Sequence, residues 1–399
     1  MKILHICKLG FEGAGNAASR HSEALKRKGI ESKLLVLRGN ADDVVVATNI
    51  GCKIRNFISK VFVHTIGHPQ YVWHYMVGSY GLANNETVKN AEIVYIHWIN
   101  DFIGYKDITW LLKHKKKVVW FLHDMWPMTG GCHHSLGCSG YTNKCADCPQ
   151  LRFFKSLALI QQSRKIKKWS TMTNLIIASP SKWLADCAMK SSVFRGLKIL
   201  VCPNVVDTDF FVPKDKSECR KRLGLDMNKR YIMLSAVAAN NIYKGFDYLC
   251  NAITKVTTPD VEFLIVGHVN IDNYPVDVKS KIKMLGFISD MQVIVDVYNS
   301  ADAYVTSSIA ENFPNVVIEA MSCGTPCVGF ATGGIPEQIS HLNNGYLARY
   351  KDSNDLANGI DWVLNTEEYD KLCINARNYV VDNCSYFNVL KNHESILED

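Results

Sequence analysis

A chain of 399 residues is longer than one ordinary hydrophobic core supports, and its composition, 47% apolar and 21% charged, is that of a folded globular protein with two domains of similar size. No stretch approaches the roughly 18 apolar residues that a membrane span needs, and the opening "MKILHICKLGFEG" reads as a first buried strand and not as a secretory signal, so a reducing cytoplasm is the expected setting for the 14 cysteines. The net charge of +7 is uneven: residues 1–200 carry 28 Lys/Arg against 12 Asp/Glu and the remainder 17 against 26, which turns the first half toward something anionic, whether nucleic acid, a phospholipid surface or a phosphorylated substrate.

In chain order, "KILHICKL" is a strand, "NAASRHSEALKRKG" a helix stopped by Gly29, and "SKLLVL" the next strand. "EIVYIHW" from Glu92, "KVVWFLH" from Lys117 and "NLIIAS" from Asn174 are further strands, and "SPSKWLADCAMKS" opens a helix with a Ser cap and Pro180 near its start. His97 and Trp98 end one strand on the side of an expected ligand cleft. His97 reads equally as an acceptor-site residue and as a satisfied edge histidine, and His5, inside the first strand, reads as structural.

The stretch "HDMWPMTGGCHHSLGCSGYTNKCADCPQL", from His123 to Leu151, holds Cys132, Cys138, Cys145 and Cys148, the last two at metal-knuckle spacing. Four thiolates close a tetrahedral zinc site, so zinc here would be structural; an open catalytic site would need another ligand, such as one from the His133–His134 pair. Ordinary buried thiols and disulfide or redox chemistry are the competing readings. The other ten cysteines, Cys202 and Cys250 among them, read as small core residues.

"ILVCPNVVDTDFFVP" combines a strand end, Pro203, Pro213 and turn-formers, which divides the chain into residues 1–203, with the Cys-rich insertion at about 124–151, and residues 204–380. Residues 381–399 are expected to form a helix returning to the first domain. After the boundary the strand–helix alternation restarts with "YIMLSAV", "KGFDYLCNAITKV", "VEFLIVG", "MQVIVDVYNSA", "AYVTSS", "NVVIEAMSCG" and "PCVGFA". Near-continuous apolar strands alternating with helices imply an α/β fold of two Rossmann-like, doubly wound parallel sheets, with ligands at the C-terminal strand ends in a cleft between domains.

The most informative stretch is "SSIAENFPNVVIEAMSCGTPCVGFATGGIPE". Glu311 lies in a loop after a strand and Glu319 inside the following helix, whose first free N–H groups, on Asn315, Val316 and Val317, make an anion site. A Glu-x7-Glu pair followed by "AMSCGTP" and "GGIPE" resembles the nucleotide-sugar site of the retaining family 4 glycosyltransferases of the GT-B fold. The resemblance extends to "CPNVVDTDFF", "YKGFDYL", "LGFISD" and "EGAGNAAS", and its nearest sense is that of bacterial enzymes of surface-polysaccharide assembly (O-antigen, capsule, exopolysaccharide or lipopolysaccharide), several of which share "HDMWP-TGGC".

The resemblance implies transfer of a hexosyl-type sugar, with retention, from a nucleotide-diphosphate donor to a lipid-linked glycan. Lys244 would neutralise the diphosphate, the helix start after Pro314 would bind the distal phosphate, Glu319 would hold the ribose and Glu311 would lie against the sugar. Phe287 and Ile288 would contact the base through their main chain, Gly13 and Gly15 would admit the phosphates, and His123 would hydrogen-bond the donor sugar. No catalytic metal is implied, and the departing phosphate takes the acceptor's proton; a double displacement would instead need Glu311 as nucleophile. Ala238 stands where relatives often carry an Arg, with Asn240, Asn241 or a first-domain residue as compensation, and Glu12 stands where a Gly is common.

"RFFKSLALIQQSRKIKKW" (Arg152–Trp169) and "FISKVFVHTIGHPQYVWHYM" (Phe57–Met76) mix aromatic, aliphatic and basic residues, so peripheral attachment to the cytoplasmic face of the inner membrane is expected, against the alternative of core helices with a solvated basic face. Three other readings stand beside the enzyme: an inactive glycosyltransferase-like partner subunit, a GT-B nucleotide-sugar epimerase, and a zinc-containing nucleic-acid-binding protein. No nucleic-acid partner is implied by the resemblance.

Overall fold

A computed structural model of the chain describes residues 1–39, 44–45, 50–76, 79–115, 117–236, 241–272 and 274–397. Ala238 and Asn240, singled out above, lie outside them. The chain forms two compact units, Met1–Val205 with Leu390–Asp399, and Val206–Val389.

The first unit is built on seven strands: β1 (Lys2–Leu9), β2 (Glu31–Arg38), β3 (Val44–Val45), β4 (Ile93–Ile96), β5 (Lys117–Phe121), β6 (Leu175–Ser179) and β7 (Lys198–Val201). They pair in parallel throughout, in the order β3-β2-β1-β4-β5-β6-β7. Every residue of β4 and β6 is buried, which is why these strands read as unbroken apolar runs. The second unit repeats the plan with β8 (Arg230–Ala236), β9 (Val261–Gly267), β10 (Ile282–Gly286), β11 (Ala303–Thr306), β12 (Cys327–Phe330) and β13 (Gly345–Ala348), in the order β10-β9-β8-β11-β12-β13. In each sheet the chain starts near the middle and later crosses to the other side, so a switch point falls between β1 and β4 and another between β8 and β11. Open α/β sheets bind ligands just beyond the strand ends at such points.

Local sequence rules account for several boundaries. Ser181 accepts a hydrogen bond from Leu184 N at 3.1 Å and starts the helix Lys182–Lys190, with Pro180 just before the cap. Gly29, at φ 77°, stops the helix Glu12–Arg27. That helix begins earlier than its sequence pattern suggests: "EGAGNAAS" is its first two turns, not a loop, and Glu12 enters it in the left-handed conformation, φ 64°. A Cβ on Gly15 would sit 2.5 Å from Leu9 O, so Gly15 is needed for the helix to pack on the end of β1, while one on Gly13 would meet nothing.

The helix Ser156–Trp169 also departs from expectation. Its buried face carries Gln161, Gln162 and Lys165 beside Ala158 and Trp169. These polar groups hold the backbone of the Cys-rich insertion. Gln161 Nε2 donates to Gly130 O at 2.8 Å and His74 O at 2.9 Å, Gln162 Oε1 accepts from Cys145 N at 2.7 Å, and Lys165 Nζ donates to Thr129 O at 3.0 Å and to Trp126 O. Lys165, one of the six Lys/Arg residues of Arg152–Trp169, is therefore buried, and burial pushes its pKa down to about 7.

Candidate functional site

In the second unit the switch point gathers the residues that the sequence singles out. The turn Ile242–Lys244 follows β8, and the loop Ser307–Asn312 follows β11. Backbone contacts lock the two together: Ile309 N donates to Tyr243 O at 2.8 Å, and Ser307 Oγ to Lys244 O at 2.9 Å. Gly245, at φ 60°, lies so close that a Cβ would come within 2.1 Å of Ser307 O. On the far side Gly333, at φ 57°, would place a Cβ 1.7 Å from Glu311 O, so the first part of "GGIPE" requires glycine. Held from both sides, Lys244 Nζ lies 2.7 Å from Glu311 Oε2. Asn241 is committed to capping its own turn, accepting from Tyr243 N at 3.0 Å.

The helix Asn315–Ser322 starts next to this pair, with Pro314 as its cap residue and no side-chain cap bond, leaving the N–H groups of Asn315, Val316 and Val317 at its positive end. Val317 is buried and its N–H reaches Pro314 O at 3.2 Å. Glu319, one turn in, is buried and accepts the Tyr298 hydroxyl at 3.0 Å. Phe287, just past β10, is 70% exposed and Ile288 half-buried. The second unit thus brings Lys244, Glu311, Asn315, Val316, Val317 and Glu319 to one sheet end, an ammonium and two carboxylates around the start of a helix.

In the first unit His123 and Asp124 follow β5. His123 Nε2 lies 2.9 Å from His97 Nδ1, and His97 Nε2 lies 2.9 Å from His5 Nδ1. His97 is thereby satisfied on both ring nitrogens. Burial holds His123 down at about 4 against the pull of Asp124. Asp124 accepts from Trp126 N at 2.8 Å, Trp98 Nε1 at 3.1 Å and His133 Nδ1 at 2.6 Å. His133, whose other nitrogen lies 2.7 Å from His74 Nδ1, is engaged on both sides and is not placed as a metal ligand. The sequence offered no signal for His74, which stands 59 residues from His133 and is held by backbone bonds to the insertion.

The four cysteines of the insertion line one small cavity of about 40 Å³, and a Cβ on Gly140 would lie 3.5 Å from Cys138 Sγ and 3.7 Å from Cys145 Sγ. Burial raises the thiol pKa values of Cys132, Cys145 and Cys148, Cys145 to about 11, and the charge of Cys138 adds to the rise in all three. The donor set is that of a sulfur-only zinc site, though the four sulfurs are not all within mutual ligand distance. Among the described residues that closeness is met by His21, Cys202 and His393 in the core of the first unit.

Residues 215–379 match the family model described as "Glycosyl transferases group 1". The chain is 24% identical over 390 residues to a D-inositol 3-phosphate glycosyltransferase of Mycobacterium sp. (strain KMS), covering 90% of this chain and 81% of that one. It is 30% identical over 186 residues to an uncharacterized glycosyltransferase of Methanocaldococcus jannaschii, a match that spans 45% of this chain and only about half, 47%, of that relative. Among solved structures, Anabaena Alr3699/HepE in complex with UDP-glucose superposes with a TM-score of 0.68 at 17% identity, covering 100% of both chains. The chain therefore has the α/β fold of the GT-B proteins, and its second unit carries a group 1 glycosyl transferase domain.

Proposed function

We propose that this protein is a glycosyltransferase that moves a sugar, with retention, from a nucleotide-diphosphate donor held by the second unit to a hydroxyl of a glycan acceptor held by the first. The observation that carries the reading is the Lys244–Glu311 pair at 2.7 Å, set at the switch point beside the start of the helix Asn315–Ser322 within the matched family segment. In this reading Lys244 and the helix N-terminus stabilise the charge that develops on the leaving diphosphate. Glu319 receives the ribose hydroxyls, Phe287 and Ile288 flank the base, and Asn240 and Gly13 contribute to the donor site. His123, neutral by burial, hydrogen-bonds the donor sugar. The bond from the anomeric carbon to the phosphate oxygen breaks as the acceptor oxygen bonds on the same face, and the acceptor's proton passes to the departing phosphate. Glu311, paired with Lys244, is the positioning partner of that ammonium in preference to a covalent nucleophile. UDP in neighbouring structures supports a nucleotide-sugar donor.

The same reading includes a lipid-linked acceptor in surface-polysaccharide synthesis, peripheral attachment at the cytoplasmic face of the membrane, and a structural zinc held by Cys132, Cys138, Cys145 and Cys148. No helix among the described residues is long and apolar enough to cross a membrane.

The test is a thermal-shift series with UDP, GDP, dTDP and ADP. One nucleotide at about 100 times its dissociation constant should add roughly 2.7 kcal/mol of stability, and Lys244→Ala and Glu319→Ala should abolish the shift. No stabilisation by any of the four at millimolar concentration would overturn the donor assignment.

A further inference from the structure

Glu319 meets a second buried side chain inside the second unit. Tyr298 lies in the helix Met291–Ser300, and its hydroxyl is 3.0 Å from Glu319 Oε2, both residues being buried. Burial pushes the phenol's pKa up and the Glu319 charge adds to it, so the hydroxyl keeps its proton and donates to the carboxylate. A carboxylate buried this far costs free energy unless it is hydrogen-bonded, and Tyr298 supplies one such bond.

Both partners are held. The Tyr298 ring packs against Phe211 with centroids 6.3 Å apart, nearly edge to face, and against Tyr304 at 6.0 Å. The Tyr298 carbonyl accepts from Thr325 Oγ1 at 2.8 Å. The helix that carries Glu319 is fixed at its far end, where Ser322 Oγ donates to Phe211 O at 2.7 Å. Arg377 Nη1 donates to Ser322 O at 2.8 Å and to Phe211 O at 2.7 Å in the same place. The stretches "CPNVVDTDFF" and "AMSCGTP", through Phe211 and Thr325, therefore meet on Tyr298 and hold it against Glu319.

The consequence is geometric. A carboxylate has about four acceptor positions in one plane, and the bond from Tyr298 sets that plane. Glu319 stands four residues past Asn315 on its helix, about 6 Å along the axis. That distance is comparable to the separation of the hydroxyls and the distal phosphate in a ribose 5-diphosphate.

We infer that Tyr298 is a positioning residue that sets the Glu319 carboxylate to receive both hydroxyls of a ribose, so that the donor is a ribonucleoside diphosphate sugar and not a 2′-deoxyribonucleotide one. A vicinal diol donates two hydrogen bonds to a carboxylate held in one plane, whereas a 2′-deoxyribose donates one. The inference rests on the glycosyltransferase reading and adds to it the pentose of the donor and the residue that selects it.

The test is calorimetric binding to the full chain of UDP, GDP and ADP, each beside its 2′-deoxy counterpart, and of dTDP. The parent should bind its preferred ribonucleotide about 10-fold more tightly than the deoxy form, the size of one hydrogen bond to a carboxylate. Tyr298→Phe keeps the ring and removes only the hydroxyl. It should cut that ratio to about 3-fold or less, mainly by weakening the ribonucleotide, whereas a merely structural role would weaken both forms equally. Should Tyr298→Phe fail to fold, Thr325→Val, which removes the bond to the Tyr298 carbonyl, takes its place and should narrow the ratio in the same direction. Dominant binding of dTDP, a parent ratio below about 2-fold, a ratio that the substitution leaves unchanged, or an equal loss for both forms would each overturn the inference while the donor reading stands. If no nucleotide binds at all, the donor reading falls and takes this inference with it.

Discussion

His5, His21, His97, His123 and His393 form a buried group in the first unit that gives the protein a pH signature. His21 Nδ1 lies 3.0 Å from His393 Nε2, and Tyr95 supplies its hydroxyl 2.8 Å from His393 Nδ1. Burial lowers His5 to about 3, with His393 and Lys26 adding to it; burial lowers His393 to about 4 with help from Lys28. His123 stands at about 4. In the unfolded chain each would titrate near 6.5. Between about pH 6.5 and 4 the unfolded state therefore binds protons that the folded state refuses, and stability falls as pH drops, by up to about 1.4 kcal/mol per pH unit for each histidine. Asp124, held at about 2, adds a further loss only below the ordinary aspartate range. Seven of the eight tryptophans lie in this unit, so their fluorescence reports it. The urea midpoint by tryptophan fluorescence should drop steeply from pH 7 to pH 5, and less steeply in His393→Phe. Equal midpoints at the two pH values would show that these rings are not neutral in the fold.

At the scale of elements, the strands were legible because a parallel sheet covered on both faces demands unbroken apolar runs, and "IVYI" or "LIIAS" satisfies nothing else. The helix Ser156–Trp169 was not, because its inward face is polar: Gln161, Gln162 and Lys165 answer backbone groups of a loop that carries neither regular helix nor strand across most of its length. In the second unit Glu311 and Glu319 were legible from motif spacing within one short region, whereas Lys244, 67 residues before Glu311, was reached only through the resemblance. In the first unit the His74–His133–Asp124 contacts were not, since these residues come together only through the insertion. That dependence makes the cysteines matter: a staple on Cys132–Cys148 would fix the loop that sets His133 against Asp124 and His74. Protein purified without chelator should carry close to one equivalent of zinc, and Cys145→Ser or a strong chelator should remove it and lower the unfolding temperature of the first unit. Less than about half an equivalent of zinc would remove the metal from the account and leave the thiols as buried packing.

At the scale of the molecule, the basic charge of residues 1–200 coincides with an exposed apolar face. In the helix Ile50–Ile66, Ile54, Phe57, Ile58, Val61 and Phe62 are all exposed at the three- and four-residue spacing of one helix side, Phe57 by 69%. Backbone bonds from Arg152 N at 2.7 Å and Phe153 N at 3.3 Å to Ile66 O bring Phe153 and Phe154, also exposed, to the end of that helix, with Arg152 beside them. An apolar stripe flanked by basic side chains suits the boundary of an anionic bilayer, where each Lys or Arg adds about 1 kcal/mol and the aromatic rings supply the rest. The electrostatic part is screened within about 10 Å at 0.1 M salt, whereas the apolar part is not. The proposed peripheral attachment therefore predicts that the protein sediments with anionic vesicles at low salt, binds neutral vesicles more weakly, and loses only part of its binding as salt rises. Phe57→Ser with Phe62→Ser should weaken vesicle binding about 10-fold at every salt concentration, because partial burial of two rings is worth more than 1.4 kcal/mol. Should the double variant sediment as the parent does, the stripe is not the contact; should the parent fail to sediment at all, the acceptor of this unit would have to be sought among soluble glycans.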